Sequence, residues 1–254
     1  MSTHYAMNVV PALGQTPNPG RKMLAFSGSL VAMYFSMWLL FGSAGAVIIT
    51  ISIFVHELGH FLAFRSRGYT AGMVFLPFLG AAVYPDDKER FKTARRSEEV
   101  MIAISGPFSN VMLIFAGLFL ALSPWRDIGL ALAAINAVLA SINLLPFGIL
   151  DGGHVARAIF ISADDHHDRL IVRCLTFAGL LGVVMVIFTG NLPIGAWLFI
   201  WGSSRSSMKT DRYAYDHPRS MSNAQSVVWG RIWAVMMGFS LVMAALLGYW
   251  KDFL

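Results

Sequence analysis

An all-α, multi-pass membrane protein with six or seven spanning helices is the fold the sequence predicts, and two features predict it. Hydrophobic residues make up 56% of the 254 and charged residues only 13%, about half the charge of an ordinary soluble domain, and mean hydropathy is +0.62. The apolar residues also come as long, nearly uncharged blocks rather than short periodic faces. Blocks of about 18 or more such residues read as helices that cross a bilayer.

The spans fall at roughly 24–42, 44–65, 100–122, 128–148, 170–189, 192–202 and 231–250. The sixth is too short to cross alone as a straight helix, which leaves the total at six or seven. With the N-terminus in the cytoplasm, all 19 Lys and Arg except Arg126 and Lys251 fall on the inner side, the asymmetry that inner loops show. The chain then divides into a cytoplasmic segment 1–23, a membrane-embedded core 24–202, a polar cytoplasmic linker 203–230 and a last helix within 231–254. The first twenty or so residues are polar, end in Arg21-Lys22 and carry no legible cleavable signal. Cys174 is the one cysteine; in an apolar span it reads as a small hydrophobe, and neither a disulfide nor a cysteine zinc knuckle is available. Because the basic residues sit in the loops, the net charge of +5 does not call for nucleic acid.

The second span carries the chemistry. It reads Ile53-Phe-Val-His56-Glu57-Leu-Gly-His60, an H-E-x-x-H pattern on a helix. Residues four apart lie about 40° apart around the axis and about 6 Å along it, so both imidazoles reach one metal ion and Glu57 stands beside it as a proton acceptor for an attacking water. Chance placement has to explain three ionisable residues within five positions of a membrane span, where each charge costs about 2.5–3.5 kcal/mol on insertion scales.

A catalytic zinc site needs a third protein ligand and one open position. The candidate is Asp151, in Asn143-Leu-Leu-Pro146-Phe-Gly148-Ile-Leu-Asp151-Gly-Gly-His154. The fourth span runs in the same direction as the second, so both deliver their inner ends to one leaflet. A straight helix over 128–151 would carry Asp151 about 34 Å from the outer surface, against about 17 Å for His56. A break at Asn143–Gly148, where Pro146 cannot continue a helix, or a later start of the helix is therefore expected. Read alone, Asp151 is also an ordinary helix N-cap.

Together, HELGH and N-x-x-P-x-x-x-x-D-G-G resemble the site-2 protease family of intramembrane zinc metalloproteases. Ser105-Gly-Pro-Phe-Ser-Asn110 is similar to that family's small-Gly-Pro-x-x-Asn signature, and Phe75-Leu-Pro77-Phe-Leu-Gly80 to its membrane-embedded β-hairpin. The resemblance covers roughly Val47 to Arg157. It implies one Zn2+ held by His56, His60 and Asp151, with Glu57 as general base and acid. It implies that Asn143 hydrogen-bonds the substrate carbonyl or the developing oxyanion, although a satisfied interhelical amide reads as well. Asn110 is expected to be structural, behind the metal ligands. The 68–84 hairpin, with Pro77 and Gly80, is expected to pair with an unwound substrate strand. His154 reads as a polar residue near the cytoplasmic interface in preference to an extra ligand or proton relay. The chain is expected to be a minimal form, without PDZ-like or CBS-type domains, in a prokaryotic cell membrane with its active site toward the cytoplasm. Its partners would be the bilayer, membrane-protein substrates and a regulatory membrane partner.

Two other classes compete. A non-catalytic metal-binding membrane protein, such as a transporter or a protease regulator, is disfavoured by the intact glutamate between the histidines and by the lack of inverted repeats. An H-E-x-x-H protease with glutamate as third ligand is disfavoured because Glu89, Glu98 and Glu99 all lie in the charged loop.

Overall fold

A computed structural model of the chain describes residues 19–78, 80–146, 150–161 and 221–249. Helix α1 (Pro19–Ser66) is followed by strands β1 (Ala71–Leu76) and β2 (Gly80–Pro85), then by α2 (Lys88–Lys92), α3 (Arg96–Leu120), α4 (Arg126–Asn143), α5 (Asp151–Ile161) and α6 (Asn223–Tyr249). Among the described residues, four helical stretches are long and apolar enough to cross a membrane: 22–66, 96–120, 126–143 and 223–248. The spans expected at 170–189 and 192–202 lie outside the described residues. The last helix begins at Asn223, so it takes in the end of the segment expected to be linker.

α1 is two limbs. Gly42 has φ 70° and ψ −179°, a combination open essentially to glycine alone, and the chain folds back there. The rings of Phe26 and Phe54 lie 6.3 Å apart, whereas an unbroken helix would separate them by about 42 Å. Met33, Met37 and Ala46 are buried between the limbs with Phe75 of β1. The break falls where the first two expected spans part.

β1 and β2 form an antiparallel hairpin in the register Ala71↔Pro85 to Leu76↔Gly80. Two serines of the first limb tie it down. The Ser29 hydroxyl accepts from the Phe75 N–H (3.2 Å), and the Ser36 hydroxyl accepts from the Phe78 N–H in the turn (3.3 Å). The outer edge of β1 is thus covered by α1. Phe75 faces Ala81 across the hairpin and Met73 faces Val83. Because the Phe75 N–H points away from β2, those of Ala81 and Val83 point away from β1.

With lipid on the outside, helix–helix contact rests on close approach of small residues and not on a hydrophobic drive. At the α3–α4 contact, a Cβ on Gly117 would lie 2.6 Å from the Gly129 carbonyl oxygen and 2.7 Å from the Ala133 nitrogen. Ala133 and Ala137 are fully buried there under Ile114, with Phe239, Met243 and Leu247 of α6 closing the cluster. α5 packs Val155, Ala158 and Ile159 against Val100, Ala103 and Ile104 of α3.

The reversal at Gly42 is testable. Gly42→Ala forces a side chain into a glycine-only conformation and is expected to cost about 1–3 kcal/mol, read as a lower unfolding midpoint in detergent. Gly28→Ala, in the same helix with open space around it, should leave that midpoint unchanged or slightly raised.

Candidate metal centre

The second limb of α1 presents His56 and His60 one turn apart on one face, and both are buried together with Glu57 (6%, 8% and 6% exposed). α4 ends at Asn143 with Leu144 as its cap, and α5 starts at Asp151. The expected interruption of the fourth span is present, and it brings Asp151 back to the depth of the histidines. The Asp151 carboxylate lies 3.1 Å from His56 Nε2 and 3.3 Å from His60 Nε2, and the two Nε2 atoms are 3.2 Å apart.

The ring nitrogens facing away fix the chemistry of those that face inward. His60 Nδ1 is 2.7 Å from the Ile102 carbonyl oxygen and can only donate to it. His56 Nδ1 meets Asn110 Oδ1. The orientation of the Asn110 amide is set in turn by Asn136, whose Nδ2 donates to the Leu132 carbonyl (2.8 Å) and to the Ser52 hydroxyl (2.9 Å). Only Asn136 Oδ1 is left to accept from Asn110 Nδ2, at 2.7 Å. Asn110 therefore presents its oxygen to His56, and the proton of His56 sits on Nδ1. Both histidines then aim an Nε2 lone pair at the Asp151 carboxylate.

Three acceptors pointed at one another call for a cation. Ligands at about 2.0–2.1 Å around a tetrahedral ion lie about 3.3–3.4 Å from each other, close to the separations of 3.1, 3.2 and 3.3 Å. Asp151 Oδ2 is buried with no hydrogen-bond partner. The donor set, two imidazoles and a carboxylate, suits zinc. Among the described residues, these three are the group of histidine, cysteine and acidic side chains placed to hold a metal.

Glycines make the convergence sterically feasible. A Cβ on Gly106 would run into the imidazoles of both His60 and His56, and one on Gly59 would strike the Ser105 carbonyl and the Ser109 hydroxyl. A Cβ on Gly152 would strike the Leu144 carbonyl. The glycines of HELGH, of the Ser-Gly-Pro stretch and of Asp-Gly-Gly are thus contact points between α1, α3 and the break before α5.

A chain that places an H-E-x-x-H helix against a Ser-Gly-Pro helix and an Asp-Gly-Gly turn has relatives. The family model for peptidase family M50 matches residues 44–129 and 123–188. The chain belongs to peptidase family M50. A protein named as a zinc metalloprotease, Rip3 of Mycobacterium tuberculosis, is 28% identical over 186 residues, covering 66% of this chain and 46% of that protein. Zinc metalloprotease MJ0392 of Methanocaldococcus jannaschii is 28% identical over 120 residues, 44% of this chain and 33% of that protein. The chain thus spans less than half the length of these curated relatives.

The other expected site residues are placed unevenly in this M50 framework. A cavity of about 970 Å3 is bounded by both limbs of α1, the start of β2, α4 and the end of α6, and His56, Glu57, Gly80 and Asn143 all line it. Asn143 donates one amide hydrogen to the Leu139 carbonyl of its own helix (3.0 Å), a bond within α4 and not between helices. The other hydrogen and the oxygen remain for a ligand. Pro77 is in the exposed hairpin turn, outside the cavity lining. His154 is half-buried on α5 and is not among the metal-competent group. Sequence reading overlooked Asn136 and Ser52. The signal was there for Asn136, an amide in the middle of the apolar run Ala131-Leu-Ala-Ala-Ile-Asn136-Ala-Val, where a polar side chain needs a partner.

Three substitutions probe this architecture. Gly106→Ala is expected to leave helix content unchanged while zinc in the purified protein, measured by mass spectrometry, falls well below one ion per chain. Asn110→Leu is expected to weaken zinc binding about 10- to 100-fold, and Asn136→Leu to do so in the same direction by less, both read by competition with a chromogenic chelator.

Proposed function

We propose that this protein is a zinc-dependent intramembrane endopeptidase that hydrolyses peptide bonds of membrane-spanning or membrane-proximal proteins. The convergence of two Nε2 lone pairs and the Asp151 carboxylate beside a buried glutamate carries the reading. The proposed ligands are His56, His60 and Asp151. Zinc in that position supplies Lewis-acid polarisation and an activated water at neutral pH.

Glu57 is the proposed general base, taking a proton from the attacking water and returning it to the departing amide nitrogen. It faces the cavity that also holds Asn143, which is proposed to donate to the carbonyl oxygen as negative charge develops. The same cavity runs along α4 from Asp127 to Asn143, a length of about 24 Å. Its wall is mostly apolar, which suits a segment that arrives from the bilayer.

A helical substrate hides its carbonyls in its own hydrogen bonds, so it must open before cleavage. The outer edge of β2 suits the opened strand. Ser29 takes the Phe75 N–H of β1 and Ser36 that of Phe78 in the turn, whereas the Ala81 N–H faces outward beside the Val83 N–H, which donates to the Glu57 carboxyl. Strand addition there would lay the peptide beside the base. The distribution of Lys and Arg supports an orientation with the N-terminus and the active site toward the cytoplasm. Six or seven spans in all, a prokaryotic cell membrane and a membrane partner that controls access belong to the same proposal.

In liposomes holding the full chain and single-span candidate substrates, Glu57→Gln is expected to keep one zinc per chain and lose cleavage by at least about 100-fold. Asp151→Ala should lose both zinc and cleavage. Chelation should silence the wild type, and added zinc should restore it. Appreciable turnover by the Glu57→Gln protein would exclude the proposed role.

A further inference from the structure

The M50 match ends at residue 188, yet α6, well beyond it, touches the turn that delivers Asp151. The Trp233 indole N–H donates to the Leu144 carbonyl at 2.8 Å. We infer that α6 is a working part of the metal centre, with Trp233 a positioning residue that holds the α4–α5 break and so sets where Asp151 meets the histidine pair. This rests on the reading of His56, His60 and Asp151 as zinc ligands.

The Leu144 carbonyl is one of the last in α4, where no further helical N–H follows to take it, and Leu144 is fully buried. Away from water, such a carbonyl must find a donor within the protein. Trp233 supplies one from another helix. The Asp151-Gly152 backbone rests against the same carbonyl, since a Cβ on Gly152 would fall onto the Leu144 and Leu145 carbonyls. A carbonyl pinned by the indole is thus the floor on which the ligand-bearing turn sits.

The rest of α6 fixes the register of that contact. Trp229, Trp233 and Met236 pack on the cluster that α3 and α5 share, which contains Val100, Ala103 and Ile104 with Val155, Ala158 and Ile159. Higher on α6, Phe239 stacks on Phe115 of α3 at 5.4 Å. These contacts set the height of α6 so that the indole N–H meets Leu144.

The test compares a lost donor with lost packing, on the full chain in detergent. Trp233→Phe keeps a ring and removes the N–H; Trp233→Gln keeps a donor and removes the ring; Trp229→Phe perturbs the same cluster and serves as control. The zinc dissociation constant is measured by chelator competition, and the visible absorption of the cobalt-loaded protein reports the geometry of the ligands. Trp233→Phe is expected to raise the dissociation constant by about three- to tenfold, the range one lost hydrogen bond gives if it is felt at the metal, and to shift the cobalt bands. Trp233→Gln should lie closer to the wild type, and Trp229→Phe should match it. A Trp233→Phe protein that binds zinc as well as the wild type, or better than Trp233→Gln, overturns the inference. If Trp233→Phe yields no folded protein, replacing the Trp233 indole by the isosteric benzothiophene removes only the N–H, and the same threshold decides. A wild-type chain that binds no zinc would instead remove the ligand assignment on which the inference stands.

Discussion

Two imidazole lone pairs and a carboxylate aimed at one another across 3.1 to 3.3 Å repel, and repulsion between acceptors grows as the surrounding dielectric falls. Inside a membrane protein there is little water to relieve it. The arrangement is held from behind, by bonds that leave each inward nitrogen no proton to offer. Ile102 takes the His60 proton, and the sequence of amides from Asn136 through Asn110 takes that of His56. Other features of the centre follow from the need to keep these acceptors together: the break before Asp151, the glycines at the contacts and the burial of Glu57.

Close approach of the helices is the condition for that convergence, and it is met by removing side chains where backbones must touch. Gly59 lets the H-E-x-x-H limb lie on the Ser105 carbonyl, Gly106 leaves room for both imidazoles, and Gly152 lets the turn before α5 settle on Leu144. These positions differ in kind from Gly42, whose backbone conformation and not its neighbours requires glycine. In a bilayer, where apolar side chains gain little by leaving lipid, such small-residue contacts take over from hydrophobic burial in holding helices together.

Much of this was legible in the sequence because membrane physics narrows the alternatives. Spans had to be long and apolar, so 24–42, 44–65, 100–122 and 128–148 could be placed to within a few residues. Ionisable residues in such spans had to have work, which singled out His56, Glu57 and His60 and then Asp151. Once Asp151 is taken to meet the histidines, helix length requires a break or a later helix start, and Pro146 marks where a break can fall. Less could be read where a residue acts through a partner distant in sequence. Asn136 meets Asn110 and Ser52 only because α1, α3 and α4 cross at one level, and nothing local to Asn136 names those partners. The start of α6 at Asn223 was missed for a related reason. Its first residues are polar, and hydropathy marks where a helix enters lipid, not where it begins.

The break in the fourth span shows how one requirement creates the next. An uninterrupted helix would carry Asp151 past the histidines, so α4 stops at Asn143. Stopping a helix frees carbonyls, and at this depth each freed carbonyl needs a donor from the protein itself. The structure answers at Leu144 with an indole from α6, so a segment remote in sequence becomes bound to the position of Asp151. The site cannot then be treated as the work of three helices with further helices appended. The carbonyl exposed by making room for Asp151 ties the final helix to the same centre.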